Sequence, residues 1–491
     1  MATASIERAP RPAYGWWLAA LLAGLGLYRL WVLWTGPYTL FADEAYYYGW
    51  SQALAAGYYS KPPLIAWLIA LTTAACGDGP VCVRLGALLL HPLSAALLYL
   101  LVRRLYDDRT AFWSAAAFYT LPAIALSSQI ISTDVPLVFF WVATLYFFQR
   151  ALETDRRRHW LAAGLCGGLG LLSKYTMGIF AVSALGYLAA DPARRARLRR
   201  PGVYLAAATA LLVFSPNILW NLRHGFITVV HTAQISQLDG AGLHPGALAA
   251  FLGGQFLVFG PVFFAAFLYL AGARPWGRDP RLALLWWFAV PFLAIISLQA
   301  LLARAHLNWA VPTYVTATVL VVAVLLGAGR RRWLAAAVAL NLLLGFAIHH
   351  FDALARMAGV ELTAATDPYK RMRGWDVLGR EVQAVYRRYP GIPLLAEDRK
   401  TLAQLIYYMR PHPFDAVMWN PLHAVRSQYD LTTDMNRHRG GDFIYVTDDA
   451  RLPIVSRFFT SVRRLKAIRV PIHRDFALQY YVYYLEGFRG Y

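Results

Sequence analysis

The sequence predicts a polytopic α-helical membrane protein, about eleven transmembrane helices with interfacial helices, followed by a soluble α/β domain. Three observations carry that prediction. Of 491 residues, 58% are hydrophobic and only 15% are charged, with a mean hydropathy of +0.42. Apolar runs near the length of a bilayer crossing recur until about residue 350. The net charge of +20 is gathered into short arginine clusters in alternate connections. These are Arg103, Arg104 and Arg109; Arg156, Arg157 and Arg158; Arg194, Arg195, Arg197, Arg199 and Arg200; Arg274, Arg278 and Arg281; and Arg330, Arg331 and Arg332. Basic clusters in alternate loops mark the cytoplasmic side of a bacterial-type inner membrane. The charge is therefore a topology signal, and no nucleic-acid partner is expected.

The first run, Tyr14–Trp34, follows a weakly basic leader with Arg8 and Arg11. No small-residue cleavage site follows it, so it reads as a signal anchor with a cytoplasmic N-terminus. The later runs are Val81–Val102, Ala111–Leu126, Val135–Arg150, Trp160–Leu172, Met177–Ala190, Val203–Trp220, Ala247–Ala271, Leu282–Leu302, Trp309–Gly327 and Trp333–His350. Eleven spans leave the C-terminus outside, in the periplasm. Pro62–Ala75 is apolar but too short to span comfortably, so it is expected to lie along the outer interface.

The character changes at Asp352, which divides the chain into a transmembrane domain, 1–351, and a periplasmic α/β domain, 352–491. Helix-like Asp376–Tyr389 and Lys400–Met409 alternate with strand-like Ile392–Ala396, Asp415–Trp419, Phe443–Thr447, Ala467–Ile472 and Phe476–Glu486. No glycine-rich phosphate loop follows any strand, so nucleotide binding is not expected there. Cys166 falls within a span. Cys76 and Cys82 flank Gly77-Asp-Gly-Pro80 on the outer side, where oxidation is permitted. Two thiols in apolar surroundings are the favoured reading over a disulfide.

Charged groups at membrane depth cost ~2.5–3.5 kcal/mol on insertion scales, so by default they are functional candidates. Phe41-Ala-Asp-Glu-Ala-Tyr-Tyr-Tyr-Gly-Trp50 and Tyr59-Ser-Lys-Pro-Pro-Leu64 directly follow the first span. They supply Asp43, Glu44, Tyr47 and Lys61. Later outer loops add Asp134 in Thr133-Asp-Val-Pro136, Lys174 in Ser173-Lys-Tyr-Thr176, and Arg304, His306 and Asn308 before Trp309. The loop 217–246 holds Asn221, Arg223, His224, His231 and His244, with solvated histidines as the default. Carboxylates, cations and aromatic surfaces on one face suit an anionic, lipid-linked substrate. Lysine and arginine hold phosphate by charge-assisted hydrogen bonds, and an aspartate can take a proton from an attacking hydroxyl.

In these residues the chain resembles the GT-C glycosyltransferases of the protein-mannosyltransferase and aminoarabinose-transferase group. The matching features occur in order on one face. They are the Asp43-Glu44 pair with trailing aromatics, Lys61-Pro62, Thr133-Asp134-Val-Pro136, Ser173-Lys174, and Asn308-Trp309-Ala-Val-Pro312-Thr-Tyr314. The resemblance covers roughly the first 350 residues. It implies sugar transfer from a polyprenyl-phosphate donor to lipid A, lipopolysaccharide core or another envelope acceptor, by an inverting reaction. A protein hydroxyl, as in the mannosyltransferases, is the alternative acceptor.

By this resemblance Asp43 is the catalytic carboxylate, with Glu44 beside it, and Lys61 binds the carrier phosphate. Asp134 is a second acidic position, Lys174 and Arg304 are further phosphate ligands, and Tyr47, His306 and Asn308 line the site. Structural roles compete with these: a helix N-cap at Asp43 or Asp134, and interfacial snorkelling for Lys61. A divalent cation on Asp43, Glu44 and Asp134 is the one cofactor left open. Ser60 stands where some relatives have a metal-linked glutamate, and the histidines lack ligand spacing, so no tightly bound zinc is expected. The rival class, a lipid transporter or flippase, would place its charges near the midplane and show internal repeats; neither is seen.

Overall fold

The computed structural model describes residues 13–237, 242–273, 279–452 and 454–491. The expected topology determinants Arg8, Arg11, Arg274 and Arg278 lie outside the described residues. The first half runs α1 (Tyr14–Thr35), α2 (Ala42–Ser51), α3 (Leu64–Cys76), α4 (Pro80–Leu105), α5 (Asp108–Thr120), α6 (Pro122–Ser127), α7 (Asp134–Thr154) and α8 (Arg157–Ser173). It continues with α9 (Ile179–Ala189), α10 (Pro192–Arg195), α11 (Pro201–Arg223) and α12 (Ile227–Ser236). Then come α13 (Pro245–Val258), α14 (Pro261–Ala273), α15 (Pro280–Trp287), α16 (Val290–Leu302), α17 (Thr313–Gly327), α18 (Arg331–His349) and α19 (Phe351–Met357).

Six helical stretches among the described residues are long and apolar enough to cross a membrane: Tyr14–Thr35, Pro80–Leu105, Asp134–Thr154, Pro201–Arg223, Pro280–Leu302 and Arg331–His349. Several expected spans are interrupted, and proline explains where. Ala111–Leu126 divides at Leu121–Pro122, and Ala247–Ala271 divides at Gly260–Pro261. Proline disfavours helical geometry in the residue before it, yet suits the first turn of a new helix. Gly260 adopts φ 88°, and a Cβ there would sit 2.1 Å from Asn341 Oδ1, so this junction accepts only glycine. The apolar segment after Lys61 forms α3 over 13 residues, short of a full crossing.

The chain after α19 alternates α20 (Trp375–Tyr386), β1 (Leu394–Ala396), α21 (Arg399–Tyr408), β2 (Val417–Met418), α22 (Gln428–Thr432), β3 (Phe443–Thr447), β4 (Phe459–His473) and β5 (Phe476–Phe488). The sheet order is β2-β1-β3-β5-β4. β1 is parallel to β2 and β3, while β5 is antiparallel to β3 and β4. Every residue of β1 and β3 is buried, as expected for central strands covered on both faces. One covering surface is unexpected. Tyr46, Tyr48, Ile65, Ala66 and Ile69 of α2 and α3 share a continuous buried cluster with Leu378, Leu402, Ile406, Ile444 and Val482 of the α/β layer. That layer completes its core with helices from the start of the chain.

Two cross-links tie α2 and α3 to α4 on the near side of this junction. Glu44 and Arg84 are buried and doubly bonded, with Nε to Oε1 at 2.8 Å and Nη2 to Oε2 at 2.7 Å. The expectation for Cys76 and Cys82 is corrected: they form a disulfide. Gly77, at φ 91°, ends α3 and turns the chain so that the two Cα atoms lie 5.8 Å apart, within disulfide reach. Inside that loop Asp78 accepts from His412 Nε2 at 2.8 Å and pairs with Arg410 at 3.3 Å. The cross-linked loop is thus a docking point for the α/β layer.

Candidate active site

The site begins with the start of α2. Phe41 is the N-cap residue, and the Glu44 carboxylate reaches back to accept the Phe41 N–H at 2.8 Å. Glu44 also accepts the Ile131 N–H at 2.9 Å, so both its oxygens are saturated by Arg84 and backbone. Successive helical residues point about 100° apart, so adjacent acids face different surroundings. The Asp43 side chain is 42% exposed, against 1% for Glu44. The geometry buries Glu44 behind α2 and leaves Asp43 on its open face. The capping alternative for Asp43 does not hold, because the cap position belongs to Phe41.

Asp134 opens α7, and its carboxylate does not cap that helix. Oδ1 takes Lys174 Nζ at 2.6 Å and Oδ2 takes Asn308 Nδ2 at 2.6 Å. Three distant segments, the start of α7, the end of α8 and the turn before α17, therefore meet at one carboxylate. Lys174 is neutralised in the process.

Lys61 differs. Its ammonium has no hydrogen-bond or ion-pair partner among the described residues. Burial and repulsion from Lys174 push its pKa down to about 8, while Asp43 and Asp134 pull the other way. Its backbone is held by a turn in which the Tyr58 N–H donates to Lys61 O at 3.2 Å. Tyr58 itself stacks on Trp50 at 4.5 Å. The trailing aromatics of α2 thus position the lysine.

Tyr47 is buried between the aspartates; burial, then the charge of Asp43, raises its pKa well above the usual phenol range, so it remains a neutral hydroxyl. His306 is held below its ordinary pKa by burial, then by Arg304, Lys174 and Lys61. Arg304 itself is exposed at the rim. Eight of the nine anticipated residues therefore form one electrostatic cluster, with Glu44 behind it.

Two members were missed. Arg399, the first residue of α21, donates to Asp43 at 3.1 Å and lies 4.7 Å over the Tyr46 ring. A cation in the first turn of a helix opposes the helix dipole. Asp398, whose side chain accepts the Thr401 N–H at 3.0 Å, fixes that start, so the Asp398-Arg-Lys-Thr401 sequence carried a faint signal. His231 packs on Tyr59 at 4.5 Å, and burial, then Lys61 and Arg399, pushes its pKa down to about 4. It is a neutral site-side ring, not a solvated loop histidine.

The proposed cation ligands do not fit together. Glu44 is consumed by Arg84, both oxygens of Asp134 are bonded, and Asp43 pairs with Arg399. No cluster of three His, Cys, Asp or Glu suited to a metal occurs among the described residues.

A half-exposed carboxylate beside an ammonium with no partner among the described residues, set in a largely helical frame, suits a reaction on an anionic, lipid-linked substrate. Comparison with known proteins agrees. Residues 60–220 match the family described as dolichyl-phosphate-mannose-protein mannosyltransferase. The chain is 33% identical over 437 residues to the lipid A galacturonosyltransferase RgtD of Rhizobium johnstonii, covering 88% of this chain and 90% of that one. An undecaprenyl phosphate-aminoarabinose arabinosyl transferase of Pseudomonas aeruginosa is 34% identical over 150 residues, 27% of each chain. In fold, ArnT of Cupriavidus metallidurans bound to undecaprenyl phosphate superposes with a TM-score of 0.66 at 17% identity, over 96% of this chain and 98% of that one. This chain belongs to the GT-C glycosyltransferase family that contains the lipid A and lipopolysaccharide galacturonosyltransferases and the aminoarabinose transferases.

Proposed function

We propose that the protein transfers galacturonic acid from a polyprenyl-phosphate carrier to lipid A at the periplasmic face of the inner membrane. The observation that carries the reaction is the partnerless Lys61 ammonium beside the exposed Asp43. Asp43 takes the proton from an acceptor hydroxyl. The hydroxyl oxygen forms its bond to the anomeric carbon as the bond from that carbon to the phosphate oxygen breaks. The electron pair leaves with the polyprenyl phosphate, and Lys61 stabilises it. Attack opposite the leaving group inverts the anomeric centre. Because phosphate charge grows as the bond breaks, the Lys61 contact strengthens toward the transition state.

Charge balance supports a uronate. Lys61, Lys174 and Arg399 lie about Asp43 and Asp134, and Arg304 stands at the rim beside His306, so in this set the cations outnumber the carboxylates by two. A phosphodiester brings one negative charge and a uronate carboxylate the second, whereas an aminosugar would add to the surplus. The acceptor follows the name of RgtD. The eleven-span topology, with residues 352–491 outside, would put the site at the outer surface.

The test is reconstitution of the purified protein with polyprenyl-phosphate galacturonic acid and lipid A, with products read by mass spectrometry. Appearance of lipid A heavier by one uronate is the expected result. Transfer from a neutral-sugar or aminosugar donor, with none from the uronate donor, would defeat the proposal.

A further inference from the structure

β1 and β2 run parallel, so both release the chain at the same edge of the sheet. In open α/β sheets that edge, beyond the carboxyl ends of the strands, is where ligands bind. The turn after β1 delivers Arg399 to Asp43 at 3.1 Å. The chain after β2 folds instead around an open cleft of about 350 Å³, walled by Asn420, His423, Asp430, Asp434, Asn436 and Tyr491. That volume falls within the ~300–1,000 Å³ of small-molecule sites.

The lining is polar, and all six residues are half-buried or exposed, so their polar groups are open to a ligand. Asn420 Oδ1 accepts the Ala424 N–H at 3.1 Å, which leaves Nδ2 without a partner among the described residues. The Asn436 side-chain amide and both His423 ring nitrogens have none there either. Asp430 Oδ2 accepts from the Arg426 N–H at 3.0 Å and from Ser427 Oγ at 2.8 Å, while Oδ1 is free among the described residues. Tyr491 closes one end. Its ring packs on Trp419 at 5.0 Å and Phe488 at 5.3 Å, with His423 standing at 90° to it, and its hydroxyl accepts the Asn420 N–H at 2.8 Å.

Charge decides the class of ligand. Two carboxylates repel an anion. A metal ion is also disfavoured, because Asp434 Oδ1 accepts the Asn436 N–H at 3.0 Å and Oδ2 faces Arg437 at 3.6 Å. A neutral, hydroxyl-rich ring fits: amide and imidazole groups can each donate and accept, as each sugar hydroxyl does. The cleft adjoins the transferase site through α22. Gln428 Oε1 accepts the Tyr59 N–H at 2.8 Å, and the Gln428 N–H donates to the Tyr46 hydroxyl. Burial, then the charge of Asp430, raises the pKa of Tyr59, and Asp430 adds to burial in pushing that of Tyr491 up to about 12. One carboxylate is therefore felt on both sides.

We infer that this cleft holds a sugar ring of the acceptor's headgroup, with Asn420, His423 and Asn436 bonding its hydroxyls and Asp430 Oδ1 accepting from another. The inference rests on reading the protein as a transferase to a glycolipid. It gives the α/β layer a second task beside supplying Arg399: to orient the acceptor so that its hydroxyl meets Asp43.

The experiment has two arms on the purified full-length protein in detergent. In the first, fully deacylated lipid A, a water-soluble saccharide, is added and its binding read by saturation-transfer NMR. Wild type should transfer saturation to the sugar, and Asn436→Trp, which fills the cleft, should remove most of the signal. In the second, KM is measured separately for lipid A and for the polyprenyl-phosphate donor. Asn436→Ala, whose side chain holds no other group among the described residues, should raise KM for lipid A roughly three- to tenfold, the worth of one hydrogen bond. KM for the donor should stay in place. No binding by wild type, equal binding by wild type and Asn436→Trp, or an equal change in both KM values would overturn the inference, and uronate transfer seen alongside would leave the proposed function standing. Saccharide binding lost in Asn436→Trp would support the cleft whichever sugar the donor carries.

Discussion

Asp43 and Glu44 differ by one methylene and one position, yet the helix gives them opposite tasks. Asp43→Asn keeps the shape and removes the base, so turnover should drop at least on the order of a hundredfold, the scale of general-base catalysis. Normal turnover of the purified variant would leave Asp43 without a chemical role. Glu44→Gln should instead strike stability, because it strands the buried Arg84 guanidinium. Breaking such a pair costs ~3–5 kcal/mol, and a thermal midpoint equal to wild type would contradict that account. Lys61 sets a pH dependence. Its pKa lies near 8, below the ordinary lysine value, so the ammonium is present at neutral pH and is lost as pH rises through about 8. The KM for donor should accordingly be flat below that pH and climb by up to about tenfold per unit above it. Lys61→Arg should flatten the alkaline limb, since a guanidinium does not deprotonate there; an unchanged limb would point to another group.

At the level of elements, α2 is the hinge of the design, clasped between the membrane helices and α21. Arg399 reaches Asp43 only because α21 packs on α2. If Arg399 serves the uronate carboxylate, Arg399→Gln should lower kcat/KM for the uronate donor by about tenfold, the value of one charge-assisted contact. A neutral-sugar donor should be affected far less, and equal losses for both donors would assign Arg399 to orienting Asp43 alone. This element also shows what was readable beforehand. Asp43, Lys61, Asp134 and Lys174 stood out because polar groups are conspicuous in apolar sequence, and their order resembled a known family. Most strands and helices after Asp352 are legible from alternation: β3 falls on Phe443–Thr447 as expected, whereas β4 begins at Phe459, ahead of the expected Ala467, and the short α22 carries no such pattern. Arg399 and His231 were hidden, because their roles arise from contacts across hundreds of residues that no local pattern encodes. The Cys76–Cys82 bond was misjudged for a related reason: burial statistics for cysteine carry no information about the turn at Gly77.

For the whole molecule, orientation is the open variable with the sharpest test. Reporter fusions after Arg158, Arg200 and Arg332 should read cytoplasmic, and those after Gly246 and Tyr491 periplasmic. A cytoplasmic signal at Tyr491 would break the parity of the spans and put the α/β layer on the side away from lipid A.

The contact between Arg399 and Asp43 also orders events in time. A ribosome adding roughly 5–20 residues per second needs on the order of tens of seconds to travel from Asp43 to α21. Throughout that interval the emerging chain has its lysine and its carboxylate but no arginine opposite them. The Arg399–Asp43 pair therefore forms late, when α21 packs onto α2, and until then the Asp43 carboxylate stands without that partner.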